Sequence, residues 1–369
     1  MTEFHLTLPQ NTDFNKIREE PFGEPIRRRI HRYPKRMLIL LLVGISVIIL
    51  YTNWNNEIDD IVNNMQVIRN RKHNLRNETL AETLEREVRV LCWVMTTPEN
   101  HKTKALHVLH TWGKRCTRLF FVTSKTDDEF ETIIVPIEDK YEFLWGKTRE
   151  AFRYIYNNHF DEADWFMKAD DDTFVFVENL RYLLYEYSPD MPIHFGYNFK
   201  LDNKNISSYM SGGGGYILSK EALSRFVEIG LNDSTKCRIN ENNNAEDVEI
   251  GKCLLASGVV AGDGRDKFYK QRFSPFEPFA TLIPNYYGTK FWYYGYSFYH
   301  VHNCRDCLSK YVVSFHYVAS HNMDVYNFLK YDLEVFGLDE LEEEDVLPEK
   351  LIFDEIKIPE SDNSIEYHF

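Results

Sequence analysis

Basic residues are under-represented in this 369-residue sequence, in which 43 Lys and Arg stand against 57 Asp and Glu. The resulting net charge of −14 argues against nucleic acid as the main partner. Cysteine is scarce too, and because only Cys304 and Cys307 are close in sequence, the spacing of a structural zinc site is missing. No internal repeat is visible, and the one glycine run lacks the Lys-Ser/Thr of a P-loop.

One long uncharged apolar run, Met37–Tyr51, lies near the start of the chain. It follows a cluster of Arg and Lys at positions 27–36, and a helix extended to Trp54 would be about 27 Å long. The charged leader and the lack of a small-residue cleavage site disfavour a cleaved signal peptide, whereas a buried core helix stays an alternative. The one-sided basic cluster favours a signal anchor with a cytosolic N-terminus and a luminal remainder.

Sequons and cysteines agree with a luminal location for the rest of the chain. N-x-S/T sequons occur at Asn77, Asn205 and Asn232. The six cysteines all follow the predicted anchor, and an even count there indicates up to three disulfides. Cys92–Cys116 is the first pairing we expect.

Composition and charge divide the chain into five predicted regions. The segment after the anchor is rich in Asn, Arg and Glu, which is typical of a stem, and an acidic run begins at Asp339. The predicted regions are a cytosolic tail at 1–36, a signal-anchor helix at 37–54, a luminal stem at 55–86, a packed domain at 87–337 and an acidic tail at 338–369.

Strand-like and helix-like hydrophobic patterns alternate within the packed domain. This alternation predicts an α/β fold with a largely parallel sheet, in which sites form at the carboxyl ends of the strands. We expect strands at 89–95, 119–123, 132–135 and 165–168, and helices at 101–112, 147–158, 177–187, 220–227 and 245–255. Ala151, Tyr154 and Ile155 are expected on one face of the helix at 147–158.

The strongest local signal is Asp170-Asp171-Asp172, directly after a predicted strand. Three adjacent carboxylates repel one another, so a fold that fixes them together requires a cation or strong hydrogen-bond donors. Oxygen ligands that share a divalent ion with a diphosphate suit Mg²⁺ or Mn²⁺. The competing interpretation is an acidic helix cap or a solvated loop. Because the triplet lies at a strand end, the metal site and this alternative are favoured about equally.

Four consecutive glycines lie between Tyr209 and Tyr216. Glycine permits close backbone approach and positive φ, as under a ligand, whereas a flexible loop is the alternative. Because the run passes directly into the apolar segment at 216–218 and the predicted helix at 220–227, we favour a loop held between two ordered elements.

Two further candidates are ambiguous on their own. Asp247 lies at the start of the helix predicted to end at 255, where a cap is the commoner role and a general base the alternative. His316 lies in an apolar strand, where a histidine is more often a core residue than a ligand. It matters only if the fold brings it to the acidic triplet.

Together these segments resemble glycosyltransferase family 31, and specifically the core 1 β1,3-galactosyltransferases. The similarity runs from about Val88 to about Gly337, and the matching pieces come in family order. They are RVLCWVMTTP (89–98), HVLHTWGKRC (107–116), LWGKTREAF (144–152), EADWFMKADDDTFV (162–175), YMSGGGGYILSKEAL (209–223), AEDVEIGKCL (245–254), AGDGRD (261–266) and VSFHYV (313–318).

The resemblance implies a GT-A fold and an inverting transfer of galactose from UDP-galactose to the 3-hydroxyl of GalNAc α-linked to Ser or Thr. It implies that Asp172 and His316 hold Mn²⁺, with Asp170 beside both the metal and the nucleotide, and that Asp247 deprotonates the acceptor hydroxyl. Donor binding is assigned in the same way to Met95, Asp139, Lys140, Tyr141, Lys147, Asp170, Asp171 and Trp292.

This sequence departs from the family pattern at three places. Asp139-Lys140-Tyr141 stands where the family has Glu-Gly-Arg, and Trp292-Tyr293-Tyr294 replaces Trp-Tyr-Trp. The adjacent Cys-Cys pair of the family is spread here over Cys304 and Cys307.

The partners that the resemblance implies are UDP-galactose, GalNAc-bearing glycoproteins and the Golgi membrane, in which the protein would be single-pass type II with a luminal catalytic domain. Nucleic acid is not expected, and a homodimer is left open. A weakly active or inactive luminal chaperone or binding relative is the alternative from another class, and another acceptor is a third. The retained carboxylates favour the enzyme.

Overall fold

The computed structural model of the chain describes residues 79–201, 207–288, 290–301 and 307–335. The predicted tail, anchor and acidic C-terminal tail lie outside these residues, as do the stem up to residue 78 and the sequons at Asn77 and Asn205. Asn232 is described and exposed. Within the described ranges, no helix combines the length and the apolarity that crossing a membrane requires.

The strands form one large sheet and two small ones. Along the chain they are β1 (Val90–Met95), β2 (Arg118–Thr123), β3 (Thr132–Ile134), β4 (Trp165–Asp170), β5 (Phe174–Val175), β6 (Ile193–Gly196), β7 (Asn198–Lys200), β8 (Ser208–Met210), β9 (Tyr216–Ser219), β10 (Val260–Ala261), β11 (Phe273–Ser274) and β12 (Ser314–Phe315). The large sheet has the order β10-β6-β9-β4-β1-β2-β3. Only β9 runs antiparallel to its neighbours in this sheet, which confirms the predicted mostly parallel α/β architecture.

Helices connect and cover these strands. The α-helices of the described residues are α1 (Leu80–Glu87), α2 (Leu106–His110), α3 (Leu144–His159), α4 (Val177–Leu184), α5 (Lys220–Arg225), α6 (Glu246–Ala256), α7 (Pro278–Leu282), α8 (Trp292–Tyr296) and α9 (Ser320–Asn327). Single π-helical segments adjoin three of them at His101–Ala105, Phe226–Gly230 and Phe328–Asp332. Helix α1 begins inside the range predicted as stem, where Thr79 caps it with a reciprocal Glu82 capping box.

Strand β1 is apolar throughout because both of its faces are covered. Alternate residues of β1 belong to opposite cores: Val90 and Val94 pack on one side of the sheet, and Leu91 and Trp93 on the other. Successive side chains of a strand point to opposite faces of the sheet, and here helices cover both faces, so neither face is exposed to water. The continuous apolar run therefore marks the centre of the sheet.

The buried face of helix α3 contains fewer residues than the spacing of its apolar residues suggests. Ala151 and Ile155 are buried, as their spacing predicts, but Tyr154 is 42% exposed and lies at the edge of the apolar stripe. Its ring packs beside the ring of His159, five residues later at the end of the helix, with the two ring centroids 5.8 Å apart.

Parallel pairing brings two of the predicted site segments to the same edge of the sheet. In the β1–β4 register Met95 is directly opposite Asp170, and these are the last residues of their strands. The carboxyl ends of parallel strands are where α/β sheets place their ligands.

Two disulfides are defined by described residues on both sides, Cys92–Cys116 and Cys237–Cys253. The first confirms the expected pairing and ties β1 to the segment that enters β2. Cys307 is disulfide-bonded as well. The described part of the chain has no free cysteine.

Candidate active site

A three-stranded sheet, β11-β12-β5, brings His316 to the acidic triplet. Asp172 precedes β5, His316 follows β12, and these strands pair antiparallel, so both residues leave the sheet at the same end. His316 Nε2 lies 3.3 Å from Asp172 Oδ1 and 3.9 Å from Asp170 Oδ2. One ligand atom from each of the three residues fits within 4.8 Å of the others.

The donor set of this cluster fits a divalent cation. One imidazole nitrogen and carboxylate oxygens are ligands that Mn²⁺ accepts, whereas a set without thiolates does not resemble a structural zinc centre. Burial raises the pKa of Asp172, but the hydrogen bond and charge of His316, together with the charges of Lys104 and Lys168, outweigh burial, and the pKa is lowered. The Asp172 carboxylate is therefore held in the ionised form that a metal ligand requires.

Asp171, between the two candidate ligands, points toward other partners. Its Oδ2 accepts hydrogen bonds from Thr96 Oγ1 at 2.8 Å and Asn100 Nδ2 at 2.9 Å, and its Oδ1 lies 3.1 Å from Lys104 Nζ. Burial raises the pKa of Asp171, and Lys104 opposes that shift. The carboxylate fastens the triplet to the segment after β1.

The glycine run follows β8 and packs against His316. A Cβ on Gly213 would overlap the imidazole of His316, so the close approach that the sequence predicts occurs here. Thr173 Oγ1 donates to Gly213 O at 2.8 Å, and Ser314 Oγ donates to Gly214 O, which ties the loop to β5 and β12. Gly215 has φ of 76°, the positive value that glycine allows.

Asp247 enters the same space from the first turn of α6. Its Oδ2 accepts a hydrogen bond from Gly212 N at 3.2 Å, and its Oδ1 accepts one from Val248 N at 2.9 Å. Burial raises the pKa of Asp247 above the usual range, and the Gly212 hydrogen bond and the nearby Lys168 oppose that shift. A carboxylate of raised pKa beside a cavity is a better proton acceptor than a solvated one.

A buried ion pair forms the wall on the other side of β1. Lys147 Nζ, 1% exposed, contacts Asp139 Oδ1 and donates to Thr96 O at 2.8 Å. Lys140 Nζ lies 2.8 Å from Glu138 Oε1 at the surface, and Tyr141 is 88% exposed. Asp139 thus takes part in the structure of the wall, whereas the two residues after it lie at its rim.

A single cavity of about 540 Å³ unites these groups. Aromatic residues close one side of it: Trp292, at the start of α8, has its ring centroid 5.8 Å from that of Phe199 and 6.2 Å from that of Phe276. Every site residue predicted from the sequence lines the cavity, namely Met95, Asp139, Lys140, Tyr141, Lys147, Asp170, Asp171, Asp172, Asp247, Trp292 and His316.

Sequence reasoning did not single out two charged residues that line the cavity, Lys168 and Glu246. Glu246 accepts hydrogen bonds from Thr148 Oγ1 at 2.9 Å and Tyr216 OH at 2.6 Å, and burial raises its pKa. A lysine in the middle of an otherwise apolar strand was the available signal for Lys168, because an ammonium is rarely buried without partners.

Comparisons with known proteins match this domain to glycosyltransferases. A family described as Fringe-like matches residues 86–261. Glycoprotein-N-acetylgalactosamine 3-beta-galactosyltransferase 1 of Xenopus laevis is 41% identical over 266 residues, which cover 72% of each chain. Human beta-1,3-glucosyltransferase is 27% identical over 45% of this chain and 32% of its own.

Similarity to solved structures is weaker. A Drosophila β1,4-galactosyltransferase in complex with manganese, UDP-Gal and xylobiose overlaps 47% of this chain and 64% of its own at 12% identity and a TM-score of 0.29. A superposition at that level does not define the fold, which is instead established by the strand order and register described above.

Proposed function

The chain belongs to the family of glycoprotein-N-acetylgalactosamine 3-β-galactosyltransferases, and from that premise we propose that it transfers galactose from UDP-galactose to the 3-hydroxyl of GalNAc α-linked to Ser or Thr. The observation that carries the proposal is the meeting of a candidate metal cluster and a half-buried carboxylate, Asp247, in one cavity.

On the donor side we assign Asp172 and His316 as ligands of Mn²⁺, with Asp170 beside them. A divalent cation held there would neutralise the charge that develops on the departing nucleoside diphosphate. Met95 and Lys147 line the adjoining wall and are proposed to contact the nucleotide. Lys147 Nζ donates to Thr96 O and contacts Asp139, so the position of the ammonium at this wall is fixed before a ligand binds.

On the acceptor side we assign Asp247 as the general base. Its carboxylate takes the proton of the 3-hydroxyl as that oxygen bonds to the anomeric carbon of galactose. The bond from that carbon to the diphosphate oxygen breaks with its electron pair on UDP, so a single displacement inverts the configuration. Trp292 and the rings around it offer the flat apolar surface on which a sugar ring can pack.

The proposal also includes the predicted regions that lie outside the described residues. We propose a catalytic domain at 87–337 behind a stem and a signal anchor, in a type II orientation in the Golgi membrane. The lumen of the secretory pathway is oxidising, and the disulfides Cys92–Cys116 and Cys237–Cys253 suit that compartment.

A transfer assay with the purified full-length chain tests the reaction. With Mn²⁺ and UDP-galactose it should galactosylate a peptide that carries GalNAc on Ser or Thr, and chelation should stop turnover. Activity with another acceptor would correct the substrate and keep the reaction class. No transfer with any UDP-sugar and any acceptor would overturn the enzyme proposal in favour of a luminal chaperone or binding protein.

A further inference from the structure

Lys168 is a buried cation inside the proposed active site, and no role has yet been assigned to it. It lies on the central strand β4, and its side chain is 3% exposed. Burying an ammonium costs several kcal/mol unless charged or polar partners compensate. An apolar side chain at this position of the strand would pack without that desolvation cost.

The partners of Lys168 come from three separate elements. Its Nζ lies 2.5 Å from Asp170 Oδ1 at the end of β4 and 3.2 Å from Gly212 O in the glycine run. Glu246 Oε2, at the start of α6, is 3.8 Å away. One side chain thus contacts the metal side of the cavity, the loop beneath it and the helix that presents the proposed base.

A continuous hydrogen-bonded path joins the two halves of the site through this lysine. Gly212 O accepts a hydrogen bond from Lys168 Nζ, and Gly212 N donates a hydrogen bond to Asp247 Oδ2 at 3.2 Å. The contact with Asp170 uses Oδ1, so the Oδ2 atom is the one that faces His316, at 3.9 Å. The lysine therefore orients Asp170 and also supports the peptide that holds Asp247.

We propose that Lys168 is a positioning residue whose ammonium is the shared countercharge of the donor-side carboxylate Asp170 and the acceptor-side residues Glu246 and Asp247, and that it fixes their separation for transfer. The proposal rests on the function proposed above, because only a transferase needs those two sides at a fixed distance. A near-attack geometry of this kind is sensitive to displacements of about 1 Å.

The charge of Lys168 gives the proposal a signature that a purely structural lysine lacks. Asp172 and His316, the two assigned ligands, are positioned by the pairing of β5 and β12 and not by Lys168. A cation held there is repelled by the neighbouring ammonium, so removal of that ammonium should strengthen metal binding, while displacement of Asp170 and Asp247 weakens catalysis. Loss of a merely structural residue would weaken both metal binding and catalysis.

The experiment uses the full-length chain and the neutral variant Lys168→Met. Mn²⁺ binding is titrated by the electron paramagnetic resonance signal of the free ion, and transfer is followed with UDP-galactose. We expect Mn²⁺ to bind on the order of tenfold more tightly and kcat to fall on the order of 100-fold, with a smaller change in KM for the donor. Tyr216→Phe is the control: it removes the hydrogen bond that Tyr216 OH donates to Glu246 but removes no charge, so it should leave Mn²⁺ affinity unchanged.

A second variant guards against misfolding of the first. Lys168→Met combined with Glu246→Gln removes one charge of each sign, so we expect it to fold, to bind Mn²⁺ close to the wild-type affinity and to keep the low kcat. Parallel losses of metal affinity and kcat in Lys168→Met, or wild-type kcat in either variant, would overturn the proposal. If the wild type binds Mn²⁺ but transfers nothing, the proposed function fails, and the metal titration still decides whether the lysine opposes the cation.

Discussion

His316 Nε2 lies 3.3 Å from Asp172 Oδ1, although most of the domain separates the two residues in the chain. Their proximity follows from the antiparallel pairing of β5 and β12, in which Phe315 is opposite Phe174. Val318 N also donates to Asp172 O at 2.9 Å, so backbone hydrogen bonds fix the approach on both sides of the imidazole.

Substitution of either residue should reduce metal binding. We expect Asp172→Asn and His316→Ala each to weaken Mn²⁺ binding by at least about tenfold, because each removes a ligand that no described neighbour replaces at the same place. The free-ion resonance signal measures this directly. Asp324→Asn, a change of the same chemistry at a surface carboxylate, is the control and should bind like the wild type. Unchanged affinity in both site variants would place the metal elsewhere.

Asp247→Asn should abolish transfer and spare donor binding. The amide keeps the shape of the side chain but cannot accept the proton of the acceptor hydroxyl, so we expect kcat to fall on the order of 1,000-fold. UDP binding by calorimetry should stay close to wild type, and the melting temperature should fall only modestly, because the amide nitrogen cannot accept one of the two hydrogen bonds that Gly212 N and Val248 N donate. Glu241→Gln, at an exposed position shortly before α6, serves as the matched control. A variant that retains more than a tenth of the wild-type kcat would exclude Asp247 as the base.

The acid limb of the rate profile should report the same group. Burial raises the pKa of Asp247, and only the ionised form acts as a base, so kcat/KM should decline as the pH falls through a value above that of a solvated aspartate, about 3.9. The profile is measured with the wild type at saturating Mn²⁺. An acid limb at or below the solvated value would contradict a buried base.

Gly213→Ala should damage the site, whereas its neighbour should tolerate the same change. A Cβ at 213 would overlap the His316 imidazole, but at Gly214 it would meet Ser211 at an ordinary 3.5 Å. We expect Gly213→Ala to lower Mn²⁺ affinity and kcat by at least about tenfold through displacement of His316, and Gly214→Ala to change each by less than about threefold. Equal effects at both positions would mean that the loop matters only for folding.

His194 on β6 should make the protein sensitive to acid. It is almost fully buried and Nδ1 has no partner, and burial lowers the pKa of His194 to about 4. The unfolded chain takes up a proton near pH 6.5 and the folded chain only near pH 4, so the stability that the neutral ring contributes is complete above 6.5 and is lost as the pH falls toward 4. The loss amounts to about 3 kcal/mol.

Melting temperatures measured between pH 7 and about 4 test this dependence. His194→Gln, which does not titrate, should show a shallower decline than the wild type, and the exposed His110→Gln should decline as steeply as the wild type. Identical curves for the wild type and His194→Gln would show that other groups govern acid unfolding.

Much of the fold could be read from the hydrophobic pattern because central strands and long helices are strongly periodic. The prediction of β1 at 89–95 matches Val90–Met95, and the helix predicted at 147–158 lies within Leu144–His159. Tyr154 was wrongly grouped with the buried face, since a residue at the margin of a stripe is decided by the neighbouring chain, here His159, and not by its spacing. The antiparallel course of β9 also depends on pairing partners that a linear pattern does not specify.

The sequence by itself determined the class of fold, the strand end that carries the acidic triplet and, through long matching segments, the family. Those features are local in the chain, where hydrophobic period and residue order are directly visible. Only the tertiary structure decided which charges meet: His316 with Asp172 through β5 and β12, Asp171 with Lys104 away from the metal cluster, and Lys168 between the two sides of the cavity. Electrostatic partners are chosen by distances of a few ångströms in space, and the order of residues along the chain does not contain those distances.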